Sequence, residues 1–315
     1  MAVIGIDLGG TKLAAALFAE DGTILKRTVT LLAGRQGHDV GALLAEQTRT
    51  LLDQGRTMDQ PARAVGVSVP GIYRAATGTV WAPNIPGWDD YPLREELEAF
   101  LGQGVRVCID SDRACYILGE SWQGAAQGCR HAIFLAVGTG IGAGILVDGR
   151  VLRGSRDIAG AIGWLALDRP YHAVYEACGC FEYHASGAGL ARVARDLLAQ
   201  RPDAETLLRR LDPETITGKD VFAAYDAGDA VAAEVLDQAI AFWGMTAANL
   251  VSLFDPEMII FGGGVFGPAA QFLNRIRAEA VQWAQPISMP QVRLAVSQLG
   301  GDAGLYGAGR LALLE

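Results

Sequence analysis

Two segments of this chain share one layout: an apolar, β-prone run breaks into glycines, resumes as an apolar strand and turns at an Asp-Gly pair. The first is built around Asp7-Leu8-Gly9-Gly10-Thr11-Lys12 and turns at Asp21-Gly22; the second runs from Ile133 through Gly138-Thr139-Gly140 and turns at Asp148-Gly149. Glycine tolerates φ > 0 and lets backbone N–H groups approach an anion closely, so such a turn can cradle phosphate. A single copy reads equally well as a tight hairpin with a solvated lysine. The paired occurrence points to a duplicated α/β domain with nucleotide phosphates held by both copies.

At 315 residues the chain exceeds what one hydrophobic core usually serves, so two domains are expected. Its 40 glycines stand well above the usual ~7%, and the excess sits in the two turns, in Gly262-Gly263-Gly264 and near the C-terminus. A net charge of −9 argues against nucleic acid, which is bound through a basic footprint, and favours small-molecule partners. Five cysteines without framework spacing suggest a reducing compartment. The chain enters a strand by Val3 with no leader-like segment before it, and its longest apolar stretch, 132–147, is shorter than a membrane span. The expectation is a cytoplasmic protein with no membrane partner.

Residues 3–7, 13–18 and 24–31 read as a β-meander. A helix over 38–52, a buried strand over 64–69, a Pro- and Trp-rich loop over 81–88, a helix over 93–101, a strand over 105–109 and a helix over 112–122 follow. The meander repeats over 133–152. Residues 154–186 read as irregular and 188–211 as helical. An amphipathic helix spans 231–254, strands span 258–261 and 292–296, and a last helix spans 304–314. Sheets separated by helices around a cleft indicate α/β architecture.

The chain resembles the ROK family of sugar kinases and sugar-responsive repressors, within the actin-like ATPase superfamily. The resemblance runs from Ile4 to Ala308 and rests on DLGGTK at 7–12, VPG at 69–71 with PNIPGW at 83–88, DSDRACYILGE at 110–120, VGTGIGAG at 137–144 and DPEMIIFGGGV at 255–265. GDAGLYGA at 301–308 is also similar to the family's tail. It implies two ribonuclease-H-like domains flanking a nucleotide and sugar cleft, here 1–112 with the helix 303–315 packing back on it, and 113–302. The first phosphate loop begins at residue 7, so the expectation is the kinase branch rather than the repressors, which carry a DNA-binding domain ahead of that loop.

On this resemblance Gly9, Gly10, Thr11, Gly138, Thr139 and Gly140 supply donors to ATP phosphates, Asp7 reaches the Mg²⁺ hydration shell and Lys12 adds positive charge. Asp112 corresponds to the family's general base for a sugar hydroxyl; its local sequence also fits an acidic residue decorating a helix's first turn, with Asp110 or Ser111 as the N-cap. Gly262, Gly263 and Gly264 approach adenosine. Gly71, Asn84, Ser111, Asp112 and Glu182 fall at acceptor-binding positions, while Trp81 and Trp88 receive no role. A homodimer is implied as well.

Three departures bear on the acceptor. The family's sugar-site segment Gly-Glu-(Ile/Leu/Val)-Gly-His reads Gly160-Ala161-Ile162-Gly163-Trp164, and the Asn before the catalytic Asp is Ser111. The zinc motif CxCGxxGCxE falls at 173–182, where only Cys180 occupies a ligand position; tetrahedral zinc needs four ligands, so no structural zinc is expected. His172, Cys178, Cys180 and His184 form an alternative set. The sequence leaves open a non-glucose acceptor (an amino sugar, deoxysugar or cyclitol), a polyphosphate donor, and a catalytically silent sugar sensor.

Overall fold

The computed structural model describes residues 2–314, which form two compact units. Unit 1 takes the described residues up to Cys129, then Gly144–Ala159 and the residues from Ser297 onward; unit 2 takes Arg130–Ala143 and Gly160–Val296. Along the chain the elements are β1 (Ala2–Leu8), β2 (Lys12–Ala19), β3 (Ile24–Leu31), α1 (His38–Thr57), β4 (Ala62–Val69), β5 (Ile72–Arg74), β6 (Thr79–Trp81), α2 (Leu93–Leu101), β7 (Arg106–Ser111) and α3 (Asp112–Gln123). They continue as β8 (Ala132–Val137), β9 (Ile141–Val147), β10 (Arg150–Val151), α4 (Cys180–Ala185), α5 (Gly187–Gln200), α6 (Gly218–Asp226), α7 (Ala230–Phe254), β11 (Met258–Gly262), α8 (Leu273–Trp283), β12 (Arg293–Val296) and α9 (Ala303–Leu314).

The duplication visible in the sequence is repeated in the sheets. One runs β3-β2-β1-β4-β7 and the other β10-β9-β8-β11-β12, and in each the last two strands lie parallel to the first strand of the meander. Parallel neighbours require crossovers, which α1 supplies between β3 and β4 and α7 supplies ahead of β11.

In unit 1 strand alternation sorts the two faces. Ile4, Ile6 and Leu8 of β1, with Val65, Val67 and Val69 of β4, bury against Val40, Leu44 and Leu51 of α1 and Leu93 and Leu97 of α2. Each such side chain contributes about 1.5–3 kcal/mol on burial. The other face presents Val3, Ala16, Phe18 and Ala64 to Leu305 and Ala312 of α9. Gly5 and Gly66, paired across β1 and β4, have no side chain because α9 occupies that space: a Cβ on Gly66 would lie 1.9 Å from the Ala308 carbonyl oxygen, and one on Gly5 2.6 Å from the Gly309 nitrogen.

Helix 188–211 of the sequence reading ends earlier, as α5 at Gln200, with a separate 3-10 turn at Leu207–Arg210. Pro202 explains the stop, because a residue preceding proline is pushed out of the helical region, and Arg201 sits at φ −128°, ψ 72°. The region 154–186 contains α4 and two 3-10 turns, and α6 and α8 carry no signal that the sequence reading used. The compact units place α3 with unit 1, whereas the sequence reading divides the chain at 112; α3 packs on α9 closely enough that a Cβ on Gly119 would lie 2.3 Å from the Ala303 carbonyl oxygen. Among the described residues no helix is long and apolar enough to cross a membrane.

Candidate active site

Strand register brings together the candidate residues of unit 1. Asp7 of β1 pairs with Ser68 of β4, and Ser68 with Asp110 of β7, so three polar residues line up near the carboxyl ends of parallel strands, the usual place for ligand chemistry in α/β sheets. Ser68, fully buried between Val67 and Val69, donates to Asp7 Oδ1 at 2.8 Å. Burial pushes the Asp7 carboxyl up to about 6; the Ser68 hydroxyl and Lys12 oppose the rise and the negative charge of Asp112 adds to it. Gly304 lies against this carboxyl, since a Cβ there would sit 2.5 Å from Oδ1.

Two residues beyond Asp110 the chain turns into α3. Ser111 is the N-cap, its hydroxyl accepting from the Ala114 N–H at 3.3 Å, and Asp112 is the first helical residue. The bond from Arg113 N–H to Asp112 Oδ1 (2.8 Å) and the Tyr116 hydroxyl on Oδ2 (3.3 Å) hold the Asp112 carboxyl from both sides. Burial raises its pKa, opposed by the charge and N–H of Arg113 and by Tyr116. Asp110 is turned to a different task, accepting from Ser111 N–H and pairing with Arg153 at 2.7 Å.

The first glycine turn closes with a bond from Gly9 N–H to the Lys12 carbonyl at 2.9 Å, leaving Gly10, Thr11 and Lys12 exposed. Asn84 sits beside it: a Cβ on Gly10 would be 3.3 Å from Asn84 Cβ. Trp88 of the same loop is core, stacked on Tyr91 at 4.5 Å and donating to the Gly37 carbonyl. Gly71 opens the β5–β6 hairpin, and its carbonyl receives a long 3.5 Å contact from Arg113 Nη2.

Unit 2, taken by itself, carries a second set of candidate residues. β8 and β11 pair through Gly262 and Ala136, which brings Gly262–Gly264 beside the turn Gly138–Gly140. Gly263 has φ +87°, and a Cβ there would lie 2.4 Å from the Val137 carbonyl oxygen, whereas Gly138 and Gly264 face open space. The carbonyl of Gly138 accepts from Gly187 N–H at the start of α5, whose N-cap is Ser186. Glu182, in the first turn of α4, accepts from Ile141 N–H at 2.6 Å, and Cβ atoms on Gly140 and Gly163 would each crowd its carboxyl. Its pKa is raised by burial, against the Ile141 N–H and Arg192. Thr139 is exposed at the tip of the turn.

An aromatic cluster fills the segment that corresponds to the zinc loop. Tyr175, 5% exposed, sits with its hydroxyl 2.9 Å from His184 Nε2, and the His184 ring stacks on Phe242 at 4.7 Å. Burial, with a smaller contribution from Arg192, lowers the His184 pKa against Asp168 and Asp196, which favours the neutral imidazole. His172 meets Tyr175 edge-on, and Cys178 lies near Arg192. Among the described residues no three His, Cys, Asp or Glu side chains converge as metal ligands, the set His172, Cys178, Cys180 and His184 included.

Sequence reasoning overlooked Ser68, Tyr116, Ser186 and Gly304. Ser68 carried a signal, as one hydroxyl in a strand of valines; Tyr116 carried a weaker one, standing four residues after Asp112 on the same helix face.

A sequence model of the ROK family matches residues 3–315. The glucokinase of Halalkalibacterium halodurans is 32% identical, covering 98% of this chain and 94% of its own length. Among solved structures, a ROK hexokinase from Thermus thermophilus is 32% identical with a TM-score of 0.81, over 100% of this chain and 98% of that one. A ROK family glucokinase from Streptomyces griseus in complex with glucose and AMPPNP is 30% identical with a TM-score of 0.77, over 100% of both chains. The two-sheet α/β architecture, the order of motifs and these matches along almost its whole length agree: the chain belongs to the ROK family.

Proposed function

We propose that this protein is an ATP-dependent carbohydrate kinase that phosphorylates a hydroxyl of a sugar or sugar-like polyol. The acceptor oxygen bonds to the γ-phosphorus of ATP, the bond from that phosphorus to the β–γ bridging oxygen breaks, the hydroxyl proton passes to the Asp112 carboxylate, and ADP leaves. The observation that carries this reading is the Asp112 carboxyl itself, half-buried, held on both oxygens and placed at the start of α3 rather than spread over a solvated surface.

Asp7 fits a role beside Mg²⁺. A half-buried carboxyl raised to about 6, with one hydroxyl donor, is relieved by a nearby cation, and the metal supplies charge neutralisation on the phosphates. Lys12, with the backbone of Gly10, Thr11, Thr139 and Gly140, is assigned to the phosphates. The N–H groups of Gly9 and Gly138, expected from the sequence to be phosphate donors, are instead bonded to the Lys12 and Gly140 carbonyls within their own turns. Gly9 thus shapes its turn, while Gly138, with Gly264, leaves open space for close approach of a nucleotide. Asn84, Gly71, Ser111 and Glu182 are assigned to the acceptor. The assembly is taken to be a cytoplasmic homodimer, checked by light scattering of the purified protein.

Ala161 offers no acceptor and Trp164 one N–H donor where the family usually has Glu and His, so the acceptor is taken to carry an apolar edge, a missing hydroxyl or a bulky substituent there. A coupled ADP-release assay across hexoses, amino sugars, deoxysugars and cyclitols tests this. Another acceptor should exceed glucose in kcat/KM. Glucose turnover at ~10⁴ M⁻¹s⁻¹ or above with nothing better in the panel contradicts the specificity reading.

A further inference from the structure

Unit 2 carries a cavity of about 500 Å³ lined by Trp164, Asp168, Arg169, Pro170, Tyr171 and Tyr175, among others. Two of its aromatic walls face solvent: Trp164 is 58% exposed and Tyr171 68%. Leaving that much aromatic surface wet sacrifices burial energy. The Tyr171 ring and the Trp164 backbone are nevertheless held in place. Tyr171 packs edge-on against buried Tyr175, and its hydroxyl lies 3.4 Å from Glu176 Oε1. Tyr175 is in turn anchored by His184 on Phe242. At Trp164 the backbone is fixed by Gly179, whose Cβ would lie 2.5 Å from Trp164 Cα.

The cavity borders the segment that carries Glu182, one of the residues assigned to the acceptor. Gly163, the residue before Trp164, abuts the Glu182 carboxyl, and Gly179-Cys180, which line the cavity, lead into the helix that carries Glu182. Flat ring faces flanked by the planar polar groups of Asp168, Arg169 and Glu176 match the two faces of a sugar or aryl ring, one presenting C–H or π surface and the other an edge of hydroxyls. The volume lies in the range of small-molecule sites.

We propose that this cavity is a second-ring subsite and that the preferred acceptors are glycosides, sugars bearing a further sugar or aryl ring that lodges between Trp164 and Tyr171. This rests on the sugar-kinase reading above. Kinetics with glucose, methyl glucosides, phenyl glucosides and the disaccharides cellobiose and maltose test it. For the wild type, the best ring-bearing glucoside should exceed its methyl counterpart at least tenfold in kcat/KM, and Trp164→Ala and Tyr171→Ala should each bring that ratio close to one. Disaccharide and phenyl arms separate a sugar ring from an aryl ring as the occupant. A wild-type ratio near one, or a ratio that survives both substitutions, overturns the subsite while phosphorylation of the methyl glucoside leaves the kinase standing. If no sugar is phosphorylated, the kinase reading fails, and equilibrium binding of phenyl glucosides followed by tryptophan fluorescence decides the subsite: quenching in the wild type that Trp164→Ala abolishes supports it, and no saturable quenching overturns it.

Discussion

The Tyr116 hydroxyl donates to Asp112 Oδ2 at 3.3 Å from one turn further along α3, so the proposed base is oriented by a residue of its own helix. That hydroxyl also lowers the Asp112 pKa against the larger raising effect of burial. A base works in its ionised form, so activity rises with pH through its pKa. Tyr116→Phe removes a lowering influence and should move the acid limb of the kcat/KM profile to higher pH. A fall of about fivefold at the optimum corresponds to the roughly 1 kcal/mol of one hydrogen bond. A limb that stays put or moves to lower pH contradicts the role given to Tyr116.

Gly138 and Gly263 lie side by side in unit 2 but should respond in opposite ways. Nothing in the protein approaches the position of a Gly138 side chain, so Gly138→Val should keep its melting temperature, while its branched side chain, standing where the phosphates approach, should hold them off the neighbouring donors and weaken ATP binding about tenfold or more. Gly263→Ala places a side chain at φ +87° and 2.4 Å from a carbonyl oxygen, and should destabilise the fold by at least ~1–2 kcal/mol. Calorimetry and thermal melts of both variants check the pair; unchanged ATP affinity in folded Gly138→Val contradicts the phosphate-loop assignment.

Much of this was legible beforehand because glycine turns and strand ends leave local marks. The two meanders, β4 and its Pro-Gly stop, and the helix beginning at Asp112 all follow from patterning and turn chemistry, and the repeated strand order explains why two glycine turns share one layout. Relations across strands were not legible. Asp7 and Ser68 stand far apart in sequence, and only the β1–β4 register joins them. Likewise the aromatic packing of Tyr175, His184 and Phe242 depends on a tertiary contact between α4 and α7 that no local spacing encodes.

Helix α7 depends on a buried cap. Asp229, 7% exposed, accepts from the N–H groups of Val231 and Ala232 through Oδ1, and from the Thr206 hydroxyl and Leu207 N–H through Oδ2. Burial raises its pKa, but those donors outweigh it and the net shift is downward. A depressed carboxylate pKa contributes stability that is present above the unfolded value near ~3.9 and is lost as pH falls through the folded value. Asp229→Ala should cost about 1–3 kcal/mol at neutral pH, and the gap to wild type should narrow in acid, both read from denaturant titrations. An unchanged midpoint at neutral pH would exclude the cap as a stabilising element.

The aromatic cluster at 172–184 also predicts a metal outcome. Because His184 Nε2 is engaged by Tyr175 and its ring by Phe242, the purified protein should carry no stoichiometric zinc and should melt at the same temperature with and without chelator. Elemental analysis near one zinc per chain would point instead to His172, Cys178, Cys180 and His184.

Asp112 is proposed to take the proton of a sugar hydroxyl during phosphoryl transfer from ATP. The most direct test of this role is ADP formation by wild type and Asp112→Asn with the best acceptor of the panel, alongside ATP binding by calorimetry. Wild type should form ADP only when both Mg²⁺ and acceptor are present, and Asp112→Asn should lose at least ~10²-fold in turnover, the lower range for a general base, while binding ATP as before. ADP formation that ignores the acceptor, or a folded Asp112→Asn protein with near-normal turnover, would contradict it.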